Sequence, residues 1–260
     1  LMSLDKATLD RPADMLAFLS SADTEVWVST PSFAEVCLAN EEFRQELIPS
    51  LRTMVFCGET LPNGVAARLM ERFPDARVIN TYGPTESTVA VTAIKVTPAM
   101  ARSAEPLPVG VSRPGTRIRI EAPDGHDAPA GTWGEMVIEG DTVAKGYFGR
   151  ADLTAKSFGC AESVPDAQGP VRSFRTGDEG MVGADGLLRF RGRLDLQVKL
   201  NGYRIELGEI EEHLRALPQV ASTCVVPAER AGHITHLVAY VVSAAPREQS
   251  DFRCGLALKD

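Results

Sequence analysis

The segment Asn80-Thr81-Tyr82-Gly83-Pro84-Thr85-Glu86 places an amide, two hydroxyls, a flat ring and a carboxylate side by side. Gly83-Pro84 forces a tight turn between two strand-like runs. Such a set could stack a base on Tyr82, bind phosphate oxygens through the hydroxyls and hold magnesium through Glu86. Taken alone, it is equally a polar β-turn. Arg175-Thr-Gly-Asp178 offers an aspartate fixed by a turn, able to accept two hydrogen bonds from a ribose diol. Gly192-Arg193-Leu-Asp195, followed by Lys199 and Gly202-Tyr-Arg204, offers a charged fork for a phosphate or ribose and two glycines that could bracket a hinge. Phe56-Cys57-Gly58 ends a strand-like run on a thiol. A small core side chain is the plainer reading of Cys57, and lining a pocket is compatible with it.

Other devices are missing or weak. There is no Gly-x-Gly-x-x-Gly and no Walker loop. No Gly-x-Ser-x-Gly turn accompanies the four histidines, so nothing indicates a serine nucleophile. His233-Ile-Thr-His236 has metal-like spacing, but it sits in a turn leading into a strand, a poor context for zinc.

The elements that must position these residues follow from pattern. The first hundred residues alternate helix and strand signals. Helices are expected at Asp14–Leu19 behind Pro12, after Thr30-Pro31 with Phe33, Val36 and Cys37 on one face, and from Leu61-Pro62 to Phe73. Strands are expected at 26–28, 53–57, 77–80 and, as a longer run, 87–96. This is an α/β layer with a largely parallel sheet, whose strand ends are where ligands bind. From about Val109 short strands (117–121, 135–139, 187–191) alternate with turns such as Pro123-Asp-Gly125 and Ala184-Asp-Gly186, as in a barrel or curled sheet. After Asp195 a strand, a helix over Glu206–Leu217 and strands at 220–227 and 237–242 give a small α+β unit. The expected domains are therefore 1–108, 109–194 and 195–260.

Composition narrows the classes. The 260 residues are 44% hydrophobic, ample for a packed core, and the net charge of −8 argues against a nucleic-acid-binding face. No apolar run approaches the roughly 20 residues of a membrane span, and the opening Leu-Met-Ser-Leu-Asp-Lys gives no expectation of a secretory signal. The five cysteines are far apart, without a Cys-x-x-Cys pair, so a reducing cytoplasm is the expected home.

Taken together and in order, these motifs resemble the adenylate-forming (AMP-binding) superfamily of acyl-CoA synthetases, luciferases and peptide-synthetase adenylation domains. The matching stretches are Tyr82–Glu86, Arg175–Asp178, Gly192–Asp195 with Lys199, and Asn201-Gly-Tyr-Arg-Ile-Glu-Leu-Gly-Glu-Ile-Glu211. Lys145-Gly-Tyr-Phe148 and Leu153-Thr-Ala155 are also family-like. Within the superfamily the chain is most similar to the D-alanine–D-alanyl carrier protein ligases. The likeness rests on Val26–Phe33, Phe56-Cys-Gly-Glu59, Asn80–Glu86 with Thr88–Thr92, Leu107–Val111 and Pro114-Gly-Thr116. Peptide synthetases usually carry glycine where Cys57 stands.

The resemblance implies a multi-subdomain α/β fold with a distorted β-barrel subdomain and a small C-terminal lid. It implies ATP and Mg2+ as cofactors, and D-alanine and a phosphopantetheinylated carrier protein as partners, in teichoic acid D-alanylation. Asn80, Thr81, Tyr82, Gly83, Pro84 and Thr85 would hold adenine and the α-phosphate, and Glu86 the metal. Asp178 would bind the ribose, and Phe190, Arg191, Gly192 and Arg193 would cover the nucleotide. Thr85, Glu86 and Arg193 form the implied catalytic set. Cys57 and Val89 would wall the amino-acid pocket, and Asp195 would serve as hinge. The family's phosphate loop and amine-anchoring aspartate are expected upstream of this sequence, and its catalytic lysine downstream. Lys259 does not match that lysine's motif. The 260 residues alone are therefore expected to adenylate poorly. A peptide-synthetase domain for another amino acid and a non-catalytic nucleotide-binding fragment remain the alternatives.

Overall fold

A computed structural model describes residues 8, 11–161, 164, 169–194, 197–200, 203–230 and 233–244. They fall into two compact units, Leu1–Leu194 and Asp195–Asp260. No helix among the described residues is long and apolar enough to cross a membrane.

The first unit begins with α1 (Pro12–Ser21), β1 (Val26–Ser29), α2 (Pro31–Leu38), β2 (Thr53–Phe56), α3 (Asn63–Arg72) and β3 (Arg77–Tyr82). Local chemistry sets the helix starts. Pro12 and Pro31 occupy first-turn positions, where their missing N–H costs nothing, and the Thr30 hydroxyl accepts from Phe33 N. The buried face of α2 is Pro31, Ala34, Cys37 and Leu38, while Val36 is exposed. The sequence placed Val36 on the packed face; Ala34 and Leu38 take that face instead, because the three- and four-residue steps from Pro31 run through Ala34, Cys37 and Leu38.

β1, β2 and β3 pair in parallel, and β4 (Thr92–Lys95) and β5 (Val111–Ser112) add antiparallel after the short α4 (Pro98–Ala101). The sheet is thus mixed rather than largely parallel. Its core stacks Trp27 on Phe33 and sets Phe43 edge-on to Phe73, over the fully buried Met54 and Phe56. Each such side chain contributes about 1.5–3 kcal/mol through burial.

The expected strand over 87–96 starts only at Thr92. A 3-10 turn spans Thr85–Ser87, and Thr88 and Val89 take positive φ of 64° and 65°. The β-branched run Thr-Val-Ala-Val-Thr has strand propensity, but the Gly83-Pro84 turn overrides it. That turn is closed by Val89 N donating to Pro84 O and Val91 N to Tyr82 O.

The second sheet orders β10 (Leu188–Arg193), β9 (Val171–Val182), β7 (Gly134–Gly140) and β6 (Thr116–Glu121), all antiparallel. β8 (Phe158–Ala161), following α5 (Ala151–Ser157), also pairs with β9. No pairing among the described residues closes it into a barrel. Leu188 at the start of β10 instead exchanges hydrogen bonds with the segment entering β5, giving to Gly110 O and accepting from Val109 N. Its core (Ile118, Ile120, Met136, Ile138, Phe174, Leu188) includes Val91 and Val109 and supports the rings of Tyr82 and Phe190.

The second unit contains a hairpin of β11 (Gln197–Leu200) and β12 (Tyr203–Glu206), helix α6 (Leu207–Arg215), and a long antiparallel pair, β13 (Val220–Arg230) with β14 (His233–Ser243). Glu211 on α6 accepts from Val225 N in β13 and pairs with Arg215.

Candidate functional site

The site grows from the end of β3. The two buried polar residues before Tyr82 spend their side-chain donors on the scaffold. Asn80 Nδ2 gives to Pro108 O at 2.9 Å, and Thr81 Oγ1 to Phe56 O at 2.7 Å. These bonds satisfy groups that would be costly to bury unpaired and fix where the strand ends. Tyr82 N donates to Thr92 Oγ1, which in turn gives to Val109 O. The turn beyond has no spare room: a Cβ at Gly83 would lie 2.6 Å from Val89 O.

From the second sheet, Thr176-Gly177-Asp178 comes out of the middle of β9. Sequence placed it on a tight turn; the structure places it on an irregularity within a twelve-residue strand. Tyr82 Oη donates to Asp178 Oδ2 at 2.5 Å, and Arg193 Nη1 pairs with Asp178 Oδ1 at 2.9 Å. The same Arg193 nitrogen gives to Thr176 O at 2.8 Å. The Phe190 ring lies 5.9 Å from that of Tyr82. Burial, and then the neighbouring Asp178 charge, push the Tyr82 phenol well above its ordinary value. The phenol therefore stays a donor and Asp178 an acceptor. Four residues from three strands so form one cluster of two rings, a buried carboxylate and a guanidinium.

Glu86 opens a second pole. Its carboxylate is buried and accepts from Tyr147 Oη at 2.7 Å. The loop after β7 holds this turn in place. Ala144 N gives to Glu86 O, Ser87 and Thr142 share a hydroxyl bond, and Thr88 Oγ1 gives to Thr142 O. The Tyr147 ring in turn rests edge-on against Phe158. No group of three or more His, Cys, Asp or Glu gathers as a metal cage among the described residues. A single carboxylate beside hydroxyls fits a divalent ion brought by phosphates, since magnesium commonly takes one or two protein carboxylates plus phosphate oxygens. It does not fit a resident zinc; His236 stands in β14, in the other unit.

Cys57 closes the third side. Its thiol gives to Val89 O at 3.2 Å, joining the end of β2 to the strained Thr88-Val89 bend. Val89 is largely exposed.

Most residues singled out in the sequence meet here. Arg191 does not. It pairs with Glu179 and lies over the Trp133 ring, 4.5 Å from its centroid. Thr85 is exposed at the start of the 3-10 turn, and Gly192 sits at a register shift in β10. Asp195, Leu196, Asn201, Gly202 and Lys259 lie outside the described residues. Sequence reasoning gave no role to Tyr147, Thr142 or Glu135. For Tyr147 a signal existed in Lys145-Gly-Tyr-Phe148. The other two act on residues more than 40 positions away, Glu135 across a strand pair and Thr142 from a loop, which spacing along the chain does not reveal.

The fold is that of the adenylate-forming enzymes. Residues 1–148 match the AMP-binding enzyme family, and the chain belongs to it. It is 45% identical over 259 residues to proteins named D-alanine–D-alanyl carrier protein ligase from Bacillus cereus strain AH187 and Bacillus anthracis. The match takes in 100% of this chain and 50% of theirs, so the chain spans about half the length of these relatives. Among solved structures, the Vibrio cholerae adenylation domain AlmE, in complex with glycyl-adenosine-5′-phosphate, is 30% identical with a TM-score of 0.75. The alignment covers 93% of this chain and 45% of that one. A peptide-synthetase protein containing adenylation and PCP domains is 28% identical with a TM-score of 0.76, covering 95% of this chain and 48% of that one.

Proposed function

We propose that this chain supplies the nucleotide-facing part of an ATP-dependent ligase that activates D-alanine and passes it to a carrier protein's phosphopantetheine thiol. The observation that carries the reading is the convergence of Tyr82, Asp178, Arg193 and Phe190 beside a small thiol-walled bend. The 45% identity to proteins named for that reaction supports the choice of substrate.

The chemistry suits the residues. The amino acid's carboxylate is its own nucleophile, so no triad is needed. The protein must align an in-line attack on the α-phosphorus and neutralise phosphate charge. In this reading Tyr82 lies against the adenine, Phe190 helps cover the nucleotide, and Asp178 accepts from the ribose hydroxyls. Arg193 pairs with Asp178 and orients it. Thr85, exposed on the turn, donates to the α-phosphate. Glu86 would hold magnesium with the phosphates, where the ion offsets charge as pyrophosphate leaves. The enzyme-bound aminoacyl adenylate is then attacked at its acyl carbon by the carrier thiol, giving a thioester and AMP. Cys57 and Val89 wall a pocket suited to a one-methyl side chain. The role in teichoic acid D-alanylation and a cytoplasmic location follow from the same reading.

The test is amino-acid-dependent ATP–pyrophosphate exchange by the full-length gene product, with both alanine enantiomers and a panel of larger amino acids. A preference for D-alanine is expected. A preference for a bulky amino acid would replace the substrate assignment with that of a peptide-synthetase adenylation domain.

A further inference from the structure

We propose that Glu135, on β7, is a positioning residue that sets the reach of Asp178 toward the nucleotide. The inference rests on the reading of Asp178 as the ribose-binding carboxylate. The β7–β9 register pairs Gly134 with Gly180 and Glu135 with Glu179, then resumes at Val137 with Arg175. Met136 alone therefore faces Thr176, Gly177 and Asp178. A strand that carries extra residues loses ladder bonds at that point and bends outward, a device common beside active sites. The peptide groups released here are recaptured individually. Thr176 Oγ1 gives to Met136 O and accepts from Asp178 N. Leu194 N gives to Gly177 O. The Gly177 N–H, on a residue with φ of +67°, is taken by Glu135 Oε1 at 2.9 Å.

Glu135 is thus a strut from outside the bulge, and it acts on Asp178 through the Gly177 peptide. The strut is itself braced. Glu135 Oε2 lies 3.6 Å from Arg175 Nη1, and Arg175 is paired with the buried Glu121. A charged acceptor makes a stronger bond to a peptide N–H than a neutral one. Without it, the left-handed Gly177 peptide has an open route to relax toward ordinary strand geometry, drawing Asp178 out of line with Tyr82 and Arg193.

The test compares Glu135→Ala, Glu135→Asp, Glu135→Gln and Asp178→Ala in the full-length gene product. It reads KM for ATP, for 2′-deoxyATP and for D-alanine, with kcat and Tm. Glu135→Ala and Glu135→Asp are expected to raise KM for ATP about 10-fold. They should leave KM for D-alanine unchanged and narrow the discrimination between ATP and 2′-deoxyATP. Glu135→Gln, whose carbonyl still accepts from Gly177, should bring KM for ATP and the ribose discrimination most of the way back to wild type. Where Glu135→Ala fails to fold, Glu135→Asp against Glu135→Gln carries the comparison, and equal values for that pair overturn the proposal. Unchanged ribose discrimination in Glu135→Ala or Glu135→Asp also overturns it. If Asp178→Ala leaves KM for ATP unaltered, the assignment of Asp178 fails first and takes this proposal with it. If Asp178→Ala is impaired while every Glu135 variant matches wild type, only the strut is rejected.

Discussion

The Tyr82 hydroxyl donates to Asp178 across 96 residues of sequence, and this 2.5 Å bond joins the end of the first sheet to the bulge of the second. It makes the placement of the ring and that of the carboxylate a single quantity. Tyr82→Phe keeps the ring against Phe190 and removes only the bond. KM for ATP is expected to rise about 3–10-fold, the worth of one charge-assisted hydrogen bond, with kcat nearly constant. An unchanged KM would show that Asp178 is placed without Tyr82.

The bond between Tyr147 and Glu86 makes a separate claim about the metal. Tyr147→Phe keeps the ring against Phe158 and removes the hydroxyl that orients the Glu86 carboxylate. ATP titrated calorimetrically with and without Mg2+ should show a smaller gain from the metal in Tyr147→Phe, and a much smaller one in Glu86→Gln. AMP binding without metal should match wild type in both. Equal metal dependence in all three proteins would remove Glu86 from the metal site.

Close approach of backbone to backbone requires the glycine at 83. Gly83→Ala would drive a methyl to 2.6 Å from Val89 O, where neither partner is a flexible side chain. A loss of about 2 kcal/mol in stability is expected. Gly64, in α3 with nothing within 4 Å of a new Cβ, is the control. Gly64→Ala should stabilise by up to about 1 kcal/mol. Chemical denaturation of the two variants checks both signs.

Burial in α2 pushes the Cys37 thiol from 9.0 up to about 12. Between those values the unfolded chain gives up the proton while the folded chain keeps it. Stability is therefore full below about pH 9 and falls as pH rises toward 12, by at most about 1.4 kcal/mol per pH unit from this group. Cys37→Ala should flatten that alkaline slope at a cost of about 1 kcal/mol near pH 7. A slope identical to wild type between pH 9 and 11 would contradict it.

The parts legible in the sequence are those set by local chemistry. Thr30-Pro31 announces α2, the run at 53–57 announces a buried strand, and Gly83-Pro84 announces a turn, because cap, propensity and turn residues act within a few positions. The turn's consequence was less visible. The strand expected over 87–96 loses its first half because Gly83 lets Val89 fold back onto it, which is a tertiary contact. Arg191 reads like its neighbours in the motif, yet it turns to Glu179 and Trp133, since strand alternation and the irregularity at Phe190/Gly192 decide which side chain faces the cluster. Glu135 was illegible, and Tyr147 was marked by its motif but not by its role, for a related reason. Each acts on a residue 42 or 61 positions away, and only the register of β7 and the path of its following loop bring the pairs together.

The most direct measurement of the central claim is carrier loading by the full-length gene product. ATP, Mg2+ and one amino acid are supplied with a phosphopantetheinylated carrier protein, and the carrier is weighed intact. The account predicts an alanyl thioester formed faster with D-alanine than with L-alanine or any larger amino acid, and abolished by Asp178→Ala. Loading of a bulky amino acid in preference, or undiminished loading by Asp178→Ala, would contradict it.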